Sequence, residues 1–385
     1  MAKKLIAIGL RPNQEKNVFS GQSMMFEAFI EHLQANHFEV SVIDLASKYD
    51  DINVGKIASK RIFEYLGIIA KAVGVFAKNK GSVVYLTTAQ TKGGFYRDFI
   101  FIRLASLFGC KLLLQQFGSN FENFFNSISP KLQQTVLDTF GKGSKIVVEG
   151  SVTKEQFKVL KDYETKVQIV SNGLPERNLK STDKGKTYDK ANPFHMIYLS
   201  YMIESKGFWD VLHAVDILKN KYNLNVKCVF SGTFKSSVDD TLYPDAVQAK
   251  KAFEEFIKSH DLETTITYYE GLMGDKKAEE FIKSNVFLLP SFFKFEGQPV
   301  SVLEAMAYGS LPIVTKYRMI PEMVTDETGV FVDPKSPEQI ANAVKTLMES
   351  PERYAQLSQQ CVDRYQEKFT LDSYCKNLMN IVNQI

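Results

Sequence analysis

The sequence predicts an α/β protein made of two doubly wound domains, and three observations carry that prediction. The chain has 385 residues, more than one hydrophobic core ordinarily serves. A strand, a glycine-bearing loop, a helix and a second strand follow one another in Leu5 to Leu45 and again in Val286 to Thr315. Between them, residues 176–193 (ERNLKSTDKGKTYDKANP) hold few apolar side chains, the composition of a solvated linker. The expected division is 1–175, a linker over 176–193, and 194–370.

Composition narrows the class. Hydrophobic residues make up 44% and charged residues 24%, as in soluble globular proteins. No run of about 18 uncharged apolar residues occurs, so no membrane-spanning helix is expected. In MAKKLIAIGL the apolar run stops at Arg11, which favours a first strand over a secretory leader. Cys110, Cys228, Cys361 and Cys375 lack metal-ligand spacing and read as buried thiols of a reducing cytoplasm. Asp239 and Asp240 read as a solvated turn, and no bound metal is expected. The net charge of +3 is unevenly spread: residues 1–175 carry 22 Lys+Arg against 15 Asp+Glu, the remainder 25 against 29. The first half suits an anionic surface.

Taken in order, Leu5 to Leu10 is an apolar strand, and a polar loop with Asn13, Ser20 and Gly21 follows. Met24 to Gln34 has helical periodicity, and Glu39 to Leu45 alternates as a strand does. Lys56 to Lys80 sets six basic residues against one acid, Glu64, among nine interleaved apolar side chains. Two readings stand for it: a helix lying in a bilayer interface, or a helix packed on the sheet with a solvated basic edge. Strands are expected at Ser82 to Leu86, Lys111 to Gln115, Lys145 to Val148 and Val167 to Val170, with a helix over Gly93 to Phe108. Asn172-Gly173 is a turn signal that closes this half.

The second half begins with strand Phe194 to Leu199, a loop ending in Lys206-Gly207, and a helix from Phe208 to Lys219. Val226 to Ser231, ending at Gly232, and Thr265 to Tyr269 are further strands. Then comes the stretch around which the chain is arranged: strand Val286 to Leu289 ended by Pro290, a loop with Glu296, Gly297, Gln298 and Pro299, a helix from Val300-Ser301 to Tyr308, a glycine stop at Gly309 and strand Leu311 to Thr315. A helix N-terminus favours phosphate, Gly297 lets backbone approach a ligand, and a carboxylate matches a vicinal diol. Taken singly, Glu296 and Glu304 read as solvated charges, as most carboxylates are.

The whole string, Glu296, seven residues, Glu304, with G-x-P in the loop and L-E-A-M-A on the helix, closely resembles the donor site of retaining glycosyltransferases of family four, which have the GT-B fold. The resemblance covers most of the chain, closely over 194–345. It implies two Rossmann-like domains facing a cleft, with the helix Leu371 to Ile385 crossing back to the first. It implies that Glu296 contacts the transferred sugar and Glu304 the ribose, that Lys206 grips the donor diphosphate with the helix N-terminus at Val300-Ser301, and that Gly232 and the loop Gly271-Leu272-Met273 face the donor, the loop holding the base through backbone. Gly21 matches the glycine of the first loop, and Gly118, Ser119 and Asn120 match acceptor-side positions. The sequence departs from the family at two places: Ser200-Tyr201 replaces Gly-Arg, and Phe117 stands where many members have histidine.

The function so implied is sugar transfer from a nucleotide-diphosphate sugar, UDP favoured over GDP, to a glycan or lipid-linked acceptor of an envelope polysaccharide or glycoconjugate pathway. The anomeric configuration is retained, a donor phosphate oxygen takes the acceptor proton, and no metal or nucleic acid takes part. The expected place is the cytoplasm, with the inner face of the membrane left open as the site of the reaction. Three alternatives remain open at this point: a non-catalytic sugar-nucleotide-binding relative, a GT-B sugar-nucleotide epimerase and a glycoside hydrolase using the two carboxylates.

Overall fold

The computed structural model describes residues 3–12, 21–46, 59–174, 181–237 and 240–385, without the side chains of 59–63. Asn13, Ser20, Lys56, Pro175, residues 176–180, Asp239 and the side chains of Lys60 and Arg61 therefore lie outside the described residues. The chain divides into two compact units, Met1–Pro175 with Leu371–Ile385, and Glu176–Thr370.

In the first unit, β1 (Lys4–Gly9), α1 (Gly21–Ala35), β2 (Glu39–Asp44), α2 (Ser59–Lys78), β3 (Val83–Thr88), α3 (Lys92–Leu107) and β4 (Lys111–Gln116) alternate. Then follow α4 (Phe121–Asn126), α5 (Pro130–Phe140), β5 (Lys145–Val148), α6 (Ser151–Glu155), α7 (Tyr163–Lys166) and β6 (Val167–Ile169). The strands form one parallel sheet in the order β2-β1-β3-β4-β5-β6. Successive residues of β1 point to opposite faces. Ile6 and Ile8 meet α2, α3 and α5 through Phe76, Phe101 and Val136. Leu5 and Ala7 meet α1 and the chain's last helix, Leu371–Gln384, through Phe29 and Leu378.

The second unit runs β7 (Phe194–Leu199), α8 (Phe208–Asp216), β8 (Val226–Ser231), α9 (Ala246–Ser259), β9 (Ile266–Tyr269), α10 (Gly274–Lys283) and β10 (Val286–Leu289). It continues with α11 (Val300–Ala307), β11 (Leu311–Thr315), α12 (Ile320–Met323), β12 (Val330–Val332), α13 (Pro337–Glu349) and α14 (Pro351–Lys368); α15 (Leu371–Gln384) then belongs to the first unit. Its parallel sheet has the order β12-β11-β10-β7-β8-β9. The first strand of this unit, β7, thus lies between the second and the fourth. The direction of strand order reverses between β7 and β10, the place where open α/β sheets take ligands.

Of residues 181–193, the described part of the expected linker, eight are exposed and five half-buried. Gly185 and Lys186 donate backbone N–H groups to Gln359 Oε1 and Ser358 Oγ of α14 (2.8 Å each). Lys186 Nζ is buried and donates to Phe281 O, Ser284 O (2.6 Å each) and Ser310 Oγ (3.0 Å). Gly185 and Lys186 thus fasten this stretch to the second unit, while most of its described residues face water. Burial pushes the Lys186 amine down to about 7. All four cysteines are free and buried. Among the described residues no helix is long and apolar enough to cross a membrane, and no group of three or more His, Cys, Asp or Glu stands ready for a metal ion.

Candidate donor-binding site

The site is built on the carboxyl ends of the second sheet. Pro290 ends β10, and the chain runs through Ser291 to Pro299 before α11 starts. That helix is closed by Gly309 at φ +69°, with Gly309 N donating to Met306 O and Ser310 N to Ala305 O. This is the paired hydrogen bonding of a glycine-terminated helix. Pro299, the N-cap, offers no side-chain acceptor to the first turn of α11. Val300 is exposed and Ser301 half-buried there.

The loop after β7 is fastened directly to the loop after β10. Phe292 N donates to Ser205 O at 2.8 Å. Gly207, φ +82°, ends the short turn Glu204–Lys206 and caps α8; a Cβ at Gly207 would lie 2.7 Å from Pro290 O. Only glycine fits that conformation and that gap. The consequence is that two residues the sequence named separately meet. Lys206 Nζ donates to both carboxylate oxygens of Glu296, 2.8 Å each. Ser291 Oγ donates to Glu296 Oε2, Arg318 Nε to the Glu296 carbonyl at 2.9 Å, and the Phe293 ring centroid lies 4.7 Å from Lys206 Nζ. Glu296 is 4% exposed. A carboxylate taken out of water needs partners, and the two-point cation contact supplies them here.

One turn into α11, Glu304 is also buried, in an otherwise apolar face, and Lys277 Nζ of α10 donates to its Oε1 at 2.6 Å. On the other side of β7, Gly232 has no room for any side chain: a Cβ would fall 1.8 Å from Ser200 O. Gly232 N donates to Tyr269 O, Ser200 N to Ser231 O and Leu272 N to Ser231 Oγ, so the loops after β7, β8 and β9 are stitched together. Tyr201 is half-exposed, with Lys235 Nζ 3.8 Å from its ring centroid. Gly271 and Met273 are exposed, Gly297 half-buried and Gln298 buried.

The structure thus brings Ser200, Tyr201, Lys206, Gly232, Gly271, Leu272, Met273, Glu296 to Ser301 and Glu304 to one edge of one sheet. Gly21, Gly118, Ser119 and Asn120 belong to the first unit. Gly21 is the exposed first residue of α1, with open space where a Cβ would stand. Gly118, at φ +77°, and Asn120 are tied to Gln90, and Ser119 O accepts from Gln156. Sequence reasoning missed Lys277, Arg318, Ser291 and Lys235. Each lies on a different loop or helix from the group it serves, or shows no pattern that a spacing rule detects.

Residues 180–362 match the family model described as glycosyl transferases group 1. A curated relative, the amylovoran biosynthesis glycosyltransferase AmsK of Erwinia amylovora, is 27% identical over 196 residues, 46% of this chain. That match spans 43% of AmsK, less than half its length. Among solved structures, a glycosyltransferase from Rickettsia africae ESF-5 superposes with a TM-score of 0.66 at 14% identity, over 99% of this chain and 98% of that one. The Anabaena protein HepE in complex with UDP gives 0.68 at 12% identity, over 99% and 100%. The fold is GT-B, two α/β units each with a six-stranded parallel sheet.

Proposed function

Because residues 180–362 match the family model of glycosyl transferases group 1, we propose that the chain moves a sugar from a nucleotide-diphosphate sugar to a hydroxyl of a glycan or lipid-linked acceptor, with retention of configuration. The observation that carries this reading is the Lys206–Glu296 pair, fixed at the strand-order reversal of the second sheet. Lys206 meets the negative charge that grows on the departing diphosphate, together with the first-turn N–H groups of α11. Glu296, freed from Lys206 as the phosphates arrive, accepts hydroxyl protons of the transferred sugar. Glu304 accepts from the two ribose hydroxyls while Lys277 holds one of its oxygens. The acceptor proton leaves on a donor phosphate oxygen, so the reading requires no protein nucleophile and no resident metal. A UDP-sugar is favoured, in keeping with the UDP bound to HepE, and a polysaccharide-building role accords with the name of AmsK.

The test is a thermal-shift panel of UDP-, GDP- and ADP-sugars followed by transfer assays. One nucleotide class raises the melting temperature by mass action, and that shift is lost in Glu304→Ala. Glu296→Ala keeps the shift and lowers kcat/KM by about 10²–10³-fold, the scale of one lost charge-positioning contact. Wild-type turnover in Glu296→Ala at saturating donor and acceptor overturns the assignment. Binding without turnover for every acceptor replaces it with a binding protein, and a changed donor without acceptor with an epimerase.

A further inference from the structure

The first unit carries a surface built from elements that the donor site does not include. Helices α2 and α3 pack side by side on one face of its sheet, with Ala72 and Phe76 of the one and Phe95, Phe101 and Ile102 of the other in a single core. Their opposite sides therefore face outward together. On α2 the outward stripe is Leu66, Ala70, Val73 and Ala77; on α3 it is Tyr96, Ile100, Arg103 and Leu107. Both have the spacing of one helix face. Leu66 is 55%, Tyr96 49% and Leu107 79% exposed. Single exposed apolar residues are ordinary. Five large ones on two adjoining helices form a patch.

The charge of that patch has one sign. Lys71 and Lys78 flank the α2 stripe, Arg103 lies within the α3 stripe, and Lys80 and Lys92 stand beyond the helix ends or at their start, all exposed. Each helix has one acid. Glu64 is half-buried, and Asp98 is 2% exposed beneath Arg97, whose guanidinium is 2.8 Å from its Oδ1. An apolar stripe edged by cations fits a layer that offers negative headgroups above hydrocarbon. A second copy of the same face would set cations against cations. A nucleic acid would leave the apolar stripes without contacts.

We propose that the outer face of α2 and α3 is a docking surface for an anionic lipid bilayer. The two readings of this segment then combine, since α2 packs on the sheet with one side and rests on lipid with the other. The inference stands apart from the donor site, because vesicle binding needs no sugar nucleotide.

The experiment is co-sedimentation of the full chain with vesicles of phosphatidylcholine alone or with a quarter to a third, roughly, of phosphatidylglycerol, the anionic probe. The chain is expected to bind the anionic vesicles only. Lys71→Glu/Lys78→Glu/Arg103→Glu weakens that binding at least about a hundredfold, at around fivefold for each of the three cations lost. Leu66→Ser/Ile100→Ser/Leu107→Ser weakens it at least about tenfold through lost apolar burial. As a second readout, Leu107→Cys carrying an environment-sensitive dye shifts to the blue on anionic vesicles; the native thiols are all buried and stay unlabelled. Equal binding to both vesicle types, no binding, no dye shift, or no effect of the apolar triple variant overturns the proposal. So does a vesicle-free dimer that either triple variant dissociates.

Discussion

Lys277 and Glu304 show how a buried pair divides its work. Each side chain is nearly out of water, and the 2.6 Å contact keeps the Glu304 charge acceptable inside an apolar helix face. Removing one partner from such a pair costs about 3–5 kcal/mol. Lys277→Ala is therefore expected to lower both the urea midpoint and the affinity for the nucleotide sugar, while Lys277→Arg restores most of each. Unchanged donor affinity in Lys277→Ala would detach this lysine from the site. Lys186 gives a pH signature. Its amine is held near 7, against 10.5 for an ordinary lysine, so between those values the folded chain binds fewer protons than the unfolded one. Stability on this account rises with pH from about 7 to 10.5, and the gain is absent below 7. Lys186→Met should flatten that limb of a urea-midpoint profile, and a parallel profile in the variant would refute it. At this scale the sequence was legible only where residues come as a string. Glu296, Gly297, Pro299 and Glu304 could be read together, whereas Lys277 is 27 positions from the carboxylate it serves and Arg318 22 positions from the carbonyl it holds.

At the scale of elements, glycines decide where loops meet. Gly207→Ala would force a side chain into a left-handed backbone conformation and against Pro290, shifting the Lys206 loop. A loss of at least about 1–2 kcal/mol and of donor binding is expected. Gly232→Ala, with Ser200 O at 1.8 Å, should be worse. Gly271→Ala, which meets nothing within 4 Å, should stay within about 0.5 kcal/mol of the parent. Denaturant melts of the three would check this order, and equal effects would remove its geometric basis. Strands β1, β3, β4, β7, β8 and β10 were readable because both faces of a parallel sheet are covered and the strand becomes an apolar run. The helices α9 and α10 were not. Each buries a single side chain, Phe253 or Phe281, so neither leaves an apolar period to detect.

For the whole molecule, the single tryptophan offers a selective probe. Trp209 lies in α8, so its fluorescence reports the second unit alone, whereas far-ultraviolet circular dichroism reports both. Deleting residues 371–385 removes Tyr374, Cys375 and Leu378 from the core they share with α1. Such a deletion is expected to lower the dichroism midpoint and leave the Trp209 transition nearly in place. Both transitions falling together would mean that the units unfold as one.

The placement of α15 also bears on synthesis. Phe29, Leu33 and Tyr85 of the first unit are covered partly by residues that emerge from the ribosome only after Glu176–Thr370 has been made. At bacterial or eukaryotic elongation speeds that is roughly ten to forty seconds. A first unit that folds during that interval would display an unsealed apolar face beside its sheet. The nascent chain, not the finished protein, is thus the form most exposed to aggregation and to capture by chaperones.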